Sequence, residues 1–142
     1  MTPEKFRCRG LVGGTASGAA LVSSRAFTFA HGVDPGTGEV VDVRSDIRGS
    51  NVKGKVLVYP NGKGSTTASS WFLETVRVGN QPTAIVTEGV DLSAVIGSVM
   101  AGLVYGKTIP VVSGLPKGSL MGVGVGATVS VDGRTGEVTV SG

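Results

Sequence analysis

Residues 55–79 read KVLVYPNGKGSTTASSWFLETVRVG and combine three kinds of local structure. The apolar, β-branched run at 55–59 predicts a buried strand, which Pro60 and two following glycines end in a turn. After Ser65 the apolar residues recur at helical spacing, so a helix is predicted to follow the turn. The stretch therefore places one hydroxyl side chain, that of Ser65, at the start of a helix.

The predicted helix has an apolar face and a glycine that marks its C-terminal end. Its apolar face is predicted to consist of Ala68, Trp71, Phe72 and Val76. It should end at Gly79, because glycine readily adopts the left-handed conformation that follows a helix, and Pro82 lies just beyond. We expect Trp71 to pack in the core as a large apolar side chain.

Composition limits the possible classes of protein. The chain has 142 residues, of which 24 are glycine and 16% are charged, and its net charge is +3. That length predicts one domain, residues 1–142, with a sizeable core. With seven aromatic residues and no block of lysine or arginine, it lacks the pattern of a nucleic-acid-binding surface.

The single cysteine and the hydropathy pattern bear on location and cofactors. Cys8 is the only cysteine and His31 the only histidine, so we expect no metal site and no cofactor held by this chain alone. No signal peptide is evident at the N-terminus. The longest apolar run, at 94–105, is too short to cross a bilayer. We therefore expect a cytoplasmic protein with no membrane partner.

The order of predicted elements indicates an α/β fold. Asp91 is a plausible N-cap of a second helix, 92–103, which is apolar on most faces and predicted to be well buried. The similar loops VDPGTGEV at 33–40 and VDGRTGEV at 131–138 are typical of hairpins. The order predicts a β/β/α arrangement: a strand-rich barrel or sandwich with two main helices packed on it. Strands are predicted at 6–12, 16–22, 39–43, 55–59, 83–86, 108–112, 127–131 and 137–140.

Ser65 is the strongest candidate for chemistry. A side chain at a helix N-terminus lies among free N–H groups and the positive end of the helix dipole, which favour an anion or a developing alkoxide. Gly64 would allow a ligand close to the backbone, and the Thr66 and Thr67 hydroxyls would add donors. On local pattern alone, a plain serine N-cap is the simpler interpretation.

Other motifs are weak. The GKGS segment at 62–65 lacks the spacer of a Walker A loop, and GVGVG at 122–126 precedes strands where a dinucleotide site needs a helix. A triad of Ser65, His31 and Asp34 is conceivable, but the sequence around Ser65 is not a nucleophile elbow. We expect His31 to be a surface or interface residue.

Four segments together resemble the small subunit of the aconitase X family. They are FAHGVDPGTG at 29–38, GKVLVYP at 54–60, GKGST at 62–66 and PTAI at 82–85. The resemblance spans about residues 6–112, and the family includes phosphomevalonate dehydratase and cis-3-hydroxyproline dehydratase. It implies a swivelling β/β/α domain like the mobile domain of aconitase.

The resemblance also implies a function. The chain would be the small subunit of a heteromeric hydro-lyase, active only with a large subunit that carries an iron–sulfur cluster. Ser65 would be the base that takes a proton from a hydroxy acid bound at the subunit interface, with Gly64, Thr66 and Thr67 at the substrate. The candidate substrates are (R)-5-phosphomevalonate, cis-3-hydroxy-L-proline, or a hydroxy acid outside both types. The segments at 66–71 and 106–110 look closer to the hydroxyproline type.

A second resemblance supports the same fold and leaves two alternative functions open. The segments TAIVTEG at 83–89, IPVVSG at 109–114 and 131–138 are similar to phosphohistidine swivelling domains. Those domains need a histidine where this chain has Ala94, after Leu92 and Ser93. A phosphotransfer-type mobile domain lacking its histidine, or a non-catalytic interaction module, are therefore the alternatives.

Overall fold

The computed structural model describes residues 3–63, 66–119, 123–124 and 126–141. Its strands run in the order β1-β8-β7-β3-β4-β5-β6-β2. Two helices follow β4 and β5 in the chain. The elements are β1 (Glu4–Arg7), β2 (Arg9–Val12), β3 (Thr15–Val22), β4 (Val56–Tyr59), α1 (Thr66–Val78), β5 (Ala84–Thr87), α2 (Leu92–Tyr105), β6 (Val111–Ser113), β7 (Thr128–Asp132) and β8 (Glu137–Ser141).

Strand β3 connects two sheets. Its first part, from Thr15 to Ala19, pairs antiparallel with β7, and its last three residues pair parallel with β4. One sheet is therefore the antiparallel β1-β8-β7-β3, and the other is β3-β4-β5-β6-β2, in which β3 to β6 run parallel.

Alternation along β4 shows how the layers stack. Val56 and Val58 pack with valines of β7 and β8, between the two sheets. Leu57 and Tyr59 point to the other face and pack with helix residues such as Phe72. Because successive side chains of a strand point to opposite faces, one strand contributes to both cores. The predicted β/β/α sandwich with two helices is confirmed.

Helix α1 has the predicted apolar face. Ala68, Phe72 and Val76 are buried, and Trp71 is partly buried against the same core. The helix ends where predicted, with Gly79 in the left-handed region at φ 91°.

Two strand predictions were wrong in part. The predicted strand 6–12 is divided at Cys8, because β1 pairs with β8 in one sheet and β2 with β6 in the other. The predicted strand 39–43 forms only isolated bridges, Val33 with Val40 and Glu39 with Asn51. The second hairpin, β7 with β8, is formed as predicted.

Helix α2 differs from its prediction in burial. It begins after the predicted N-cap Asp91, but only its small residues Ala94, Gly97, Ser98 and Ala101 are buried. The large apolar residues on its outer side are exposed, so the prediction of a well-buried helix was wrong. Among the described residues, no helix is long and apolar enough to cross a membrane.

Candidate functional site

The two helices begin at the same edge of the parallel sheet. Strands β4 and β5 run parallel, and each is followed by a helix, α1 or α2. The carboxyl ends of β4 and β5 and the N-termini of both helices therefore meet at one edge. Ligands commonly bind at this edge in α/β sheets, where helix N-termini offer free N–H groups.

The loop from Pro60 to Lys63 is held by backbone hydrogen bonds on two sides. The Phe27 N–H donates to the Asn61 carbonyl at 2.9 Å, and the Lys63 N–H donates to the Phe27 carbonyl at 3.2 Å. On the other side the Gly89 N–H donates to the Pro60 carbonyl at 2.9 Å. The backbone that leads to Gly64 is thus fixed relative to β4 before the helix begins.

A buried carboxylate, Asp91, connects this loop to α2. It caps α2 by accepting from the Ser93 N–H at 3.1 Å, and it accepts from the Tyr59 hydroxyl at 2.6 Å. The carboxylate lies directly against the α-carbon of Gly62, where a β-carbon would overlap it. Gly62 is therefore required by close approach, since a larger residue would displace the cap.

Tyr59 is a donor to Asp91 at any ordinary pH. The phenol is fully buried at the end of β4. Burial, and secondly the neighbouring Asp91 carboxylate, raise the pKa of Tyr59 well above its usual value. The phenol therefore keeps its proton, and the hydrogen bond to Asp91 persists.

Lys63 extends from the loop to an acidic residue. Its ammonium donates to Asp42 Oδ2 at 2.8 Å, while Arg44 lies 3.6 Å from Asp42 Oδ1. The hydrogen bond from Lys63 lowers the pKa of Asp42 to about 2, so the carboxylate is ionised at neutral pH. Two cations therefore contact one carboxylate beside the loop.

Of the predicted site residues, Thr66 and Thr67 belong to the first turn of α1. Gly64 and Ser65 fall outside the described residues, between Lys63 and the first helical residue. Thr66 begins α1, and its side chain also falls outside the described part. Thr67 is exposed in the first turn.

His31 has a different neighbour from the one a triad needs. Its ring lies against Trp71, with ring centroids 4.3 Å apart, and the residue is exposed. The Trp71 indole N–H donates to the Val33 carbonyl at 3.1 Å. Asp34 accepts from the Gly36 N–H within its own turn. His31 is thus a surface residue, as expected.

The sequence analysis missed the contacts that support the loop. Asp91 was predicted as a cap, but its bond to Tyr59 joins residues 32 positions apart. The pairing of Lys63 with Asp42 is similarly distant in the chain. A buried tyrosine at the end of an apolar strand was the available signal, because a buried hydroxyl needs a partner.

The described residues do not fit an iron–sulfur cluster or another metal site. Nowhere in the part of the chain that the structure describes do three His, Cys, Asp or Glu side chains come together. Cys8 lies partly buried between β1 and β2, and burial raises the pKa of its thiol, which disfavours the thiolate that a cluster requires.

Comparison with known proteins gives consistent results. The family model described as the aconitase X swivel domain matches residues 5–140. The phosphomevalonate dehydratase small subunit of Thermococcus sibiricus is 40% identical over 136 residues, covering 96% of this chain and 98% of that protein. The protein of the same name from Pyrococcus furiosus is 38% identical, with coverage of 96% and 95%.

A solved structure shows the same fold. The crystal structure of Thermococcus kodakaraensis aconitase X in its holo-form matches with a TM-score of 0.87 and 35% sequence identity. The match covers 98% of this chain and 99% of that chain. Similarity therefore extends over both sheets and both helices.

Proposed function

Because the chain belongs to the aconitase X swivel-domain family, we propose that it is the small subunit of a phosphomevalonate dehydratase. One observation carries the proposal: relatives with that name match nearly the full length of both chains. The proposal treats residues 1–142 as one swivelling domain. An iron–sulfur cluster, where the resemblance requires one, is assigned to the large subunit.

Ser65 is proposed as the base, with Gly64, Thr66 and Thr67 at the substrate. In the dehydration, Ser65 as the alkoxide would take a proton from the carbon beside the carboxylate. The hydroxyl on the next carbon would leave with its bonding electrons and be protonated to water. The electrons of the broken C–H bond form the double bond. Ser65 directly precedes α1 in the sequence, and the N–H groups and dipole of a helix N-terminus would stabilise an alkoxide at that point.

The fixed loop supports this role for Ser65. A base must stay within hydrogen-bond reach of the proton that it removes, and small displacements are costly. Backbone bonds from Phe27 and Gly89, and the Asp91 carboxylate against Gly62, hold the residues just before Gly64. The chain's described contacts therefore favour a well-positioned residue at this point.

Charge beside the loop favours the phosphorylated substrate. Lys63 and Arg44 both contact Asp42, and the Arg25 guanidinium donates to the Arg44 carbonyl at 3.0 Å. Three cations thus lie in one region with two carboxylates, Asp42 and Asp46. Cationic side chains and helix N-termini are typical phosphate ligands. We therefore rank (R)-5-phosphomevalonate above cis-3-hydroxy-L-proline.

The test is reconstitution with the large subunit from the same genome. The complex should form alkene from (R)-5-phosphomevalonate, while each subunit alone should be inactive. Assaying cis-3-hydroxy-L-proline in parallel separates the two substrates. A complex that assembles and dehydrates only hydroxyproline, or neither compound, would overturn the proposed substrate.

A further inference from the structure

We infer that the outer face of helix α2 is the surface on which the large subunit docks, an inference that rests on the proposed function. Five large apolar residues follow one another along this face at helical spacing and are exposed. We call them the apolar stripe: Leu92, Ile96, Val99, Met100 and Leu103.

The stripe lies opposite the side of α2 that packs on the fold. The small residues Ala94, Gly97, Ser98 and Ala101 face inward, and Gly97 lies against the Phe72 ring of α1. No charged residue occurs between 92 and 105. A helix that is apolar on all sides is normally buried on all sides, so we expect another protein surface to pack against the outer face.

The stripe is part of a wider exposed apolar surface. Leu103 is 77% exposed and Leu92 is 67% exposed, and Val90 and Val104 extend the apolar surface on either side. Seven large apolar side chains are therefore exposed together, and an exposed apolar patch of this kind commonly marks an interaction site.

The position of the stripe indicates which chain covers it. It begins at Leu92, directly after Asp91, whose carboxylate touches the loop that leads to Ser65. A partner that closes the candidate site therefore meets the start of the stripe and can continue along it. Relatives of this chain are named small subunits, which indicates assembly with a larger chain.

Leu103 provides a substitution remote from the chemistry. It lies roughly 18 Å along the helix from Asp91, at 1.5 Å per residue. Leu103→Lys places a charge in the stripe at an exposed position, so the isolated chain should keep its circular dichroism spectrum and melting temperature. The matched control is Thr128→Lys, which adds the same charge at an exposed position at the start of β7, outside the stripe.

The experiment measures binding of each purified variant to the large subunit, and activity against small-subunit concentration. Leu103→Lys should bind at least tenfold more weakly, and excess variant should restore the maximal rate. Thr128→Lys should bind as the unsubstituted chain does. Ser65→Ala, by contrast, should bind normally without activity, which distinguishes a failed docking surface from a failed catalytic proposal.

Three outcomes would overturn the inference. Leu103→Lys binding with unchanged affinity would show that the stripe is not the docking surface. If the isolated chain is a dimer that Leu103→Lys dissociates, while large-subunit binding is unchanged, a second copy covers the stripe. An unsubstituted chain that fails to bind the large subunit would overturn this inference and the proposed function together.

Discussion

At the residue scale, the contact between Tyr59 and Asp91 is the main support of the candidate site. It joins the end of β4 to the cap of α2 through a 2.6 Å hydrogen bond between buried groups. Removing one partner of a buried bond leaves the other unsatisfied, which costs more than the bond itself contributes.

Tyr59→Phe should therefore lower the free energy of unfolding by about 1–3 kcal/mol, because the Asp91 carboxylate loses the hydrogen bond from the Tyr59 hydroxyl and stays buried. Urea denaturation followed by circular dichroism measures this change. Tyr105→Phe, at a partly exposed tyrosine, should change the value by less than about 0.5 kcal/mol. Equal stability of Tyr59→Phe and the unsubstituted chain would contradict the assigned role.

Asp42 gives the fold a defined sensitivity to acid. Its folded pKa of about 2 lies below the ordinary 3.8, because Lys63 donates to the ionised form. The resulting stabilisation is present above the unfolded pKa, and it is lost as the pH falls from about 5 to 2. Solvent screening reduces the contribution to about 1 kcal/mol.

Asp42→Asn should thus be about 1 kcal/mol less stable than the unsubstituted chain at pH 7, and the difference should shrink as the pH falls towards 2. Urea midpoints at pH 7, 4 and 2.5 test this. A difference that stays constant across the range would show that Asp42 does not stabilise through its charge.

At the scale of elements, periodicity in the sequence correctly predicted the helices and the central strands. The predictions were wrong where contacts between distant segments determine the pairing or the burial of an element. The strand 6–12 shows unbroken strand character, and nothing local to Cys8 reveals that its two halves pair in different sheets. For α2, an all-apolar pattern correctly predicted a helix. It could not show that the fold leaves the outer face of the helix exposed.

The turn after β4 is the element on which the site depends most directly. Gly62→Ala should displace the Asp91 carboxylate, since the new β-carbon would overlap it. We expect lower stability and at least tenfold lower turnover in the reconstituted complex, because the loop leading to Ser65 moves with the cap. Gly13→Ala is the control, since a β-carbon there meets nothing within 4 Å. Unchanged turnover of the Gly62→Ala complex would show that the position of this turn does not affect catalysis.

At the scale of the whole molecule, two features bear on the proposed assembly: the sheet edge where both helices begin, and the apolar stripe of α2. Both helices start at the edge that carries the candidate site, and the apolar stripe of α2 begins there. We propose that a chain with this arrangement supplies part of an active site, which the large subunit completes. The family resemblance predicted this division of roles, whereas composition and spacing alone left Ser65 as a simple N-cap.

The most direct test of the account is turnover of the assembled complex carrying Ser65→Ala, compared with Ser70→Ala at an exposed serine of α1. Loss of the base should lower kcat for (R)-5-phosphomevalonate by at least 10²-fold, with binding of the large subunit unchanged. Ser70→Ala should retain full activity. Full activity of a correctly assembled Ser65→Ala complex would contradict the proposed role of Ser65.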